Sequence, residues 1–127
     1  MSSPTKKRVL DVGQCVPDHA SIRRLVEGRY GAEVVQTHGP LDTLTALRGG
    51  HFDLVLINRK LDADYTEGGD ILRAIKADAA LAAVPVMIVT NYPEHQLAAV
   101  AAGAEYGFGK AELDAPTTHE RLAKFLA

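Results

Sequence analysis

The sequence predicts an α/β fold in which a doubly wound, five-stranded parallel sheet carries helices on both faces. Short apolar or β-branched runs alternate with segments of helical spacing along the whole chain. Three of the runs are almost continuously apolar, as expected for strands that are buried on both faces of a parallel sheet. Right-handed crossovers between parallel strands place helices on both of those faces.

The predicted strands are short, and an acidic residue interrupts the first of them. Asp11 is expected in an apolar setting, where a carboxyl group needs a partner or a raised pKa. We expect a structural ion pair with Lys7, Arg8 or Lys110. The strands are predicted at residues 9–12, 32–36, 52–58, 84–90 and 106–108.

Each helical segment carries one apolar stripe. Asp18 is a candidate N-cap of the first helix, and Thr117 with Glu120 forms a capping-box pattern at the start of the last. Pro40 and Pro93 open the second and fourth helices. The stripes are Ile22, Leu25 and Val26; Leu41, Leu44 and Leu47; Ile71, Leu72 and Ile75; Leu97 and Val100; and Leu122, Phe125 and Leu126.

Composition excludes several classes of function. The chain has 127 residues, 46% of them hydrophobic, with a formal net charge of −2. That charge argues against nucleic acid or an anionic membrane as the main partner. The single cysteine, Cys15, rules out an internal disulfide and fits a reducing cytoplasm. We expect one cytoplasmic domain over residues 1–127, with an ordered core at about 7–126, and no signal peptide or membrane span.

Polar residues follow the predicted strands at the edge of the sheet where ligands of such folds bind. A hydroxyl and an ammonium there, from Thr90 and Lys110, would suit an anion such as a phosphoryl group. The residues at these strand ends are Gly13, Gln14, Cys15, Asn58, Thr90 and Lys110.

The segments FDLVLIN, GGDILRAIK, VPVMIVTN and AAGAEYGFGK resemble the receiver domains of two-component response regulators. The resemblance covers roughly residues 7–126. It implies a flavodoxin-like (βα)5 fold with strand order 2-1-3-4-5 and a role in phosphorelay signal transduction. It also implies a phosphoacceptor aspartate after the third strand, an acidic pair that holds Mg²⁺ after the first, and a Ser/Thr and a Lys that bind the phosphoryl oxygens.

Thr90 and Lys110 match this pattern, but the acidic positions do not. Asn58 stands where the acceptor aspartate belongs, and the acidic pair falls within Gly13, Gln14 and Cys15. An amide is a very poor nucleophile toward phosphorus, and Mg²⁺ prefers anionic oxygens. We therefore expect an atypical pseudo-receiver that is not an enzyme and uses neither a cofactor nor a metal.

Other departures concern the conformational switch of the family. The aromatic residue expected three positions before the lysine is Gly107, and the proline after the lysine is Ala111. The loop at 58–68 is longer than usual by a couple of residues. A switch that couples a hydroxyl group to an aromatic ring lacks the ring here.

The resemblance implies a protein partner, such as a kinase, an output protein or another receiver, and a homodimer is one form this could take. By this resemblance, the family's contact face here includes parts of residues 94–102, 105–109 and 118–125. Tyr106 or Phe108 could serve as its aromatic anchor, although Phe108 is expected more in the core.

Alternatives stay open at the pocket. Thr90 and Lys110 could be structural, with Lys110 bonded to the carbonyl of Asn58 or Gln14, or they could still bind an anion. Cys15 is inert or, near Lys110, a redox sensor.

The main alternative function is a phosphorylatable regulator that uses a displaced aspartate, Asp62 or Asp11. An unrelated enzyme on the same fold has no motif to support it, and the five histidines are expected at the surface.

Overall fold

The computed structural model describes residues 6–127, in which strands and helices alternate as predicted. The strands are β1 (Arg8–Val12), β2 (Glu33–Thr37), β3 (Leu54–Asn58), β4 (Val86–Val89) and β5 (Glu105–Phe108). The helices are α1 (Val16–Tyr30), α2 (Pro40–Gly49), α3 (Gly68–Ala77), α4 (Pro93–Ala101) and α5 (Pro116–Leu126), and a short 3₁₀ helix spans Lys110–Glu112.

The five strands form one parallel sheet in the order β2-β1-β3-β4-β5, so the predicted flavodoxin-like fold is confirmed. Alternate strand residues enter two apolar clusters. One cluster lies under α2, α3 and α4, and the other lies under α1 and α5. Both faces of the sheet are therefore covered, which explains why β3 is buried along its whole length.

Proline rather than a polar cap starts several of the helices. The N-caps of α1 and α5 are Cys15 and Ala115, and neither makes a side-chain capping bond. The predictions of Asp18 and Thr117 as caps are wrong. Proline in the first turn already has the helical φ and lacks one of the N–H groups that would need a cap.

The predicted apolar stripe of α4 is also wrong. Leu97 is 63% exposed and Val100 is 42% exposed, whereas Gln96 and Ala99 face the sheet. By contrast, the stripe of α3 is buried as predicted. Helical spacing gives the width of a stripe but not the direction in which it points, and a polar contact between Gln96 and the sheet decides that direction in α4.

None of the helices described within residues 6–127 combines the length and the apolar composition needed to cross a membrane.

Candidate functional site at the carboxyl edge of the sheet

The carboxyl ends of β3, β4 and β5 surround a cavity of about 260 Å³. Three of the predicted site residues, Asn58, Thr90 and Lys110, line it together. Gly13, Gln14 and Cys15 do not line it. The complete lining is Asn58, Arg59, Lys60, Thr90, Asn91, Tyr92 and Lys110.

Asn58 ties the ends of β3 and β1 together. Its side-chain Nδ2 donates a hydrogen bond of 3.0 Å to the carbonyl oxygen of Gly13, and the side chain is buried. A carboxylate at this position would have no proton to donate and would face the same carbonyl oxygen. The amide therefore makes a contact that an ionised aspartate could not make.

Gly13 has a backbone conformation and a packing that exclude a side chain. Its φ is +75°, in the left-handed region that favours glycine. A Cβ at this position would lie 2.3 Å from Cδ2 of Leu61, which is fully buried. Leu61 thus fills the space into which an acidic side chain at position 13 would project.

The loop between β3 and α3 holds Leu61 in place. The backbone N–H of Leu61 donates to Thr66, and the N–H of Asp62 donates to the carbonyl oxygen of Gly13 at 2.9 Å. Asp64 accepts hydrogen bonds from the backbone and the hydroxyl of Thr66, which hold the pKa of Asp64 below its usual value. The loop between β3 and α3 therefore packs over the end of β1.

Lys110 has an acidic partner that the sequence did not indicate. Its Nζ lies 2.7 Å from Oδ2 of Asp18 in the first turn of α1, and both side chains are one-third exposed. The predicted bond from Lys110 to the carbonyl of Asn58 or Gln14 is not made. The hydrogen bond from Lys110 is the main reason why the pKa of Asp18 is lowered, and the thiol of Cys15 adds to the effect.

Thr90 is buried at the end of β4. Its Oγ1 accepts a hydrogen bond of 3.3 Å from the backbone N–H of Tyr92 and lies 3.5 Å from Nδ1 of His95. The hydroxyl thus has neighbours within the protein, while Thr90 also lines the cavity.

Asp11 pairs with His19, not with Lys7, Arg8 or Lys110. Its Oδ2 lies 2.6 Å from His19 Nδ1. Burial raises the pKa of Asp11 to about 6, although His19 lowers it in part. The side-chain amide of Gln14 is close to Asp11 and also lowers its pKa. The two side chains nevertheless form no hydrogen bond of normal geometry. His19 is mostly buried, so its predicted surface location is wrong.

The residues at this edge do not fit the Mg²⁺ site that the resemblance implies. Gly13, Gln14 and Asn58 offer no anionic oxygen, and Leu61 occupies the space beside Gly13. Within residues 6–127, no three or more His, Cys, Asp or Glu side chains are grouped so that they could hold a metal ion.

The predicted contact face contains one of its two proposed anchors. Tyr106 is half-buried, and the guanidinium carbon of Arg121 lies 4.4 Å from the centre of its ring. Phe108 is 2% exposed and belongs to the core, so it cannot serve as a surface anchor. Leu97 and Val100, within the α4 part of this face, are exposed.

Three contacts at this edge were missed because their residues are ordinary in the sequence. Asp18, His19 and Leu61 stand in no motif, and only the fold brings them to Lys110, Asp11 and Gly13. Asp18 and His19 follow each other in the first helix, where an acidic residue is common for reasons of helix stability alone.

No family model matches the sequence. Solved structures do resemble it, at sequence identities below 25%. The chemotaxis protein CheY4 of Vibrio cholerae matches with a TM-score of 0.75 and 16% identity, over 97% of this chain and 100% of that chain. A response regulator receiver protein from Pseudomonas putida matches with a TM-score of 0.75 and 17% identity, over 96% and 99%.

The phosphorylated cyanobacterial phytochrome response regulator RcpA matches with a TM-score of 0.74 and 17% identity, over 96% of this chain and 94% of that chain. All three are response-regulator proteins, and each match extends over nearly the whole of both chains. The chain therefore has the flavodoxin-like fold of response-regulator receiver domains.

Proposed function

We propose that this chain is an atypical receiver domain that acts in signal transduction by binding a protein partner independently of phosphorylation. One observation carries the proposal. Asn58, at the position of the phosphoryl acceptor, is bonded to Gly13, one of the three positions within which the acidic pair would fall. Neither residue has a carboxylate, and Leu61 packs where a carboxylate side chain at position 13 would stand.

The chemistry of these groups supports the proposal. Transfer of a phosphoryl group needs a nucleophile, and the amide of Asn58 is a very poor one. It also needs charge stabilisation, which receiver domains obtain from a divalent cation held by carboxylates. The ammonium of Lys110 is already paired with Asp18, so its charge is satisfied within the chain.

The partner surface we propose is the face formed by α4, β5 and α5. It combines the exposed apolar side chains Leu97 and Val100 with the stacked pair of Tyr106 and Arg121. Aromatic and arginine side chains often carry most of the energy of protein interfaces. The matched fold is one that meets kinases, output proteins and other receivers, and such a protein is the proposed partner here.

The rival hypothesis is phosphorylation at a displaced aspartate, Asp62 or Asp11. Asp11 has no exposed surface and is covered by His19, so a phosphodonor could not reach it without opening α1. Asp62 lies on the loop beside Gly13 and is the candidate that an experiment must address.

The test is the intact mass of the protein after incubation with a small-molecule phosphodonor and Mg²⁺. We expect no phosphoryl adduct on the wild-type chain. We expect none on Asn58→Asp either, because this substitution restores the nucleophile but leaves Gly13 closed by Leu61. A wild-type adduct that disappears in Asp62→Asn would overturn the proposal in favour of a displaced acceptor.

A further inference from the structure

The contact between β4 and β5 contains an irregularity at its centre. Met87 pairs with Glu105 and Val89 pairs with Phe108, so one residue of β4 is opposite two residues of β5. Such a β-bulge leaves part of the backbone ladder unpaired. Gly107 lies in the bulge, and a Cβ there would come within 2.4 Å of the carbonyl oxygen of Ile88.

The side chain of Gln96 fills the gap in the ladder. Its Nε2 donates to the carbonyl oxygen of Ile88 at 2.9 Å, and its Oε1 accepts from the N–H of Gly107 at 2.7 Å. A side-chain amide has one donor end and one acceptor end, as a peptide group has. We call this arrangement the Gln96 bridge; it joins α4, β4 and β5, and Gln96 is 2% exposed.

The Gln96 bridge is the main polar attachment of α4 to the sheet. Apart from Gln96, the only buried residue of this short helix is the small Ala99, whereas Leu97 and Val100 face outward. Removal of the amide would leave the buried N–H of Gly107 without its partner, which costs more than a hydrogen bond contributes.

The bridge also lies between the pocket and the proposed partner face. Nε2 of Gln96 is 3.4 Å from the carbonyl oxygen of Thr90, which lines the pocket. On the other side, the carbonyl oxygen of Gly107 accepts a hydrogen bond of 2.9 Å from Arg121, which stacks on Tyr106. Gly107 is thus held by α4 through its N–H and by α5 through its carbonyl.

We propose that the Gln96 bridge holds the face of α4, β5 and α5 in one conformation, so that this face is ready for its partner whatever the state of the pocket. The inference rests on the proposed function: without phosphoryl transfer the face is either set in advance or shifted by its partner, and the Gln96 bridge favours the first. Gln96 is a positioning residue in this proposal and does not itself contact the partner.

The test compares wild-type protein with Gln96→Leu and Gln96→Glu by NMR. Relaxation dispersion of the backbone amides reports microsecond-to-millisecond exchange in α4 and β5, and hydrogen exchange reports the protection of the Gly107 N–H. We expect no exchange in the wild-type face. In Gln96→Leu we expect exchange throughout α4 and β5 and about 10- to 100-fold faster hydrogen exchange at Gly107.

The Gln96→Glu variant separates the bridge from simple packing. An ionised carboxyl group can accept from Gly107 but cannot donate to Ile88, whereas the protonated group can do both. Exchange in this variant should therefore be present at neutral pH and diminish in mild acid. Gln96→Leu should not recover, and wild-type protein at both pH values controls for the nearby His95 and for Asp11.

Two results would overturn the inference: wild-type α4 and β5 exchanging as much as in Gln96→Leu, or Gln96→Glu behaving identically at both pH values. The comparison of Gln96→Glu at the two pH values decides the matter even if Gln96→Leu does not fold. No phosphodonor or partner is present, so this test can fail while the proposed function stands, and the reverse also holds.

Discussion

At the scale of single residues, Asp11 shows how burial changes the chemistry of a carboxyl group. The side chain has no exposed surface, and its contact with His19 only partly offsets the loss of water. Its pKa is therefore raised from 3.8 to about 6, so the folded chain retains a proton that the unfolded chain has already released. Asp11 thereby links the stability of the fold to pH.

The linkage gives a signed prediction for Asp11. Its contribution to the free energy of unfolding is fully present below about pH 4 and is lost as the pH rises to about 6. The loss amounts to roughly 3 kcal/mol at most. Urea unfolding of wild-type protein and Asp11→Asn between pH 4 and 7 measures it, and the variant should lack this part of the slope. Parallel pH curves for the two proteins would contradict the raised pKa.

At the scale of elements, the loop between β3 and α3 decides what the end of β1 can hold. Leu61 projects from this loop onto Gly13, and the N–H of Asp62 donates to the Gly13 carbonyl oxygen. The end of β1 is thus shaped by the loop that follows β3. This strand is the neighbour of β1 in the sheet, but its loop lies about fifty residues later in the chain.

A double-mutant cycle tests the contact between Gly13 and Leu61. Leu61→Ala should lower the free energy of unfolding by about 2–5 kcal/mol, because it leaves a cavity in the core. Gly13→Ala should also destabilise, because its Cβ collides with Leu61 and because its φ is positive. The two changes should be less than additive, since the smaller side chain at 61 relieves the collision. Strict additivity in denaturant unfolding would mean that the two residues do not meet.

At the scale of the whole molecule, one sheet is shared by two apolar clusters. β1, β3 and β4 contribute side chains to both clusters, so both layers of helices pack on the same strands. Arg121 of α5 also donates to the carbonyl oxygen of Gly107 in the edge strand β5.

The shared sheet predicts that residues 6–127 unfold as one cooperative unit. Far-UV circular dichroism should report the helices, and tyrosine fluorescence should report the packing around the four tyrosines, among them Tyr30, whose hydroxyl donates to the carbonyl oxygen of His119 in α5. The two urea transitions should coincide. Separated midpoints would instead indicate that the two helix layers unfold independently.

The sequence by itself determined the order of strands and helices and the absence of carboxylates at Asn58 and Gly13, because periodicity and residue identity are local properties of a chain. Only the tertiary structure decided the partners. Lys110 meets Asp18 across 92 positions of sequence, and Gln96 turns inward while Leu97 turns outward. These contacts depend on which polar groups of the assembled sheet still need a hydrogen-bond partner and which apolar groups still need cover. Such groups come together only after distant segments have packed.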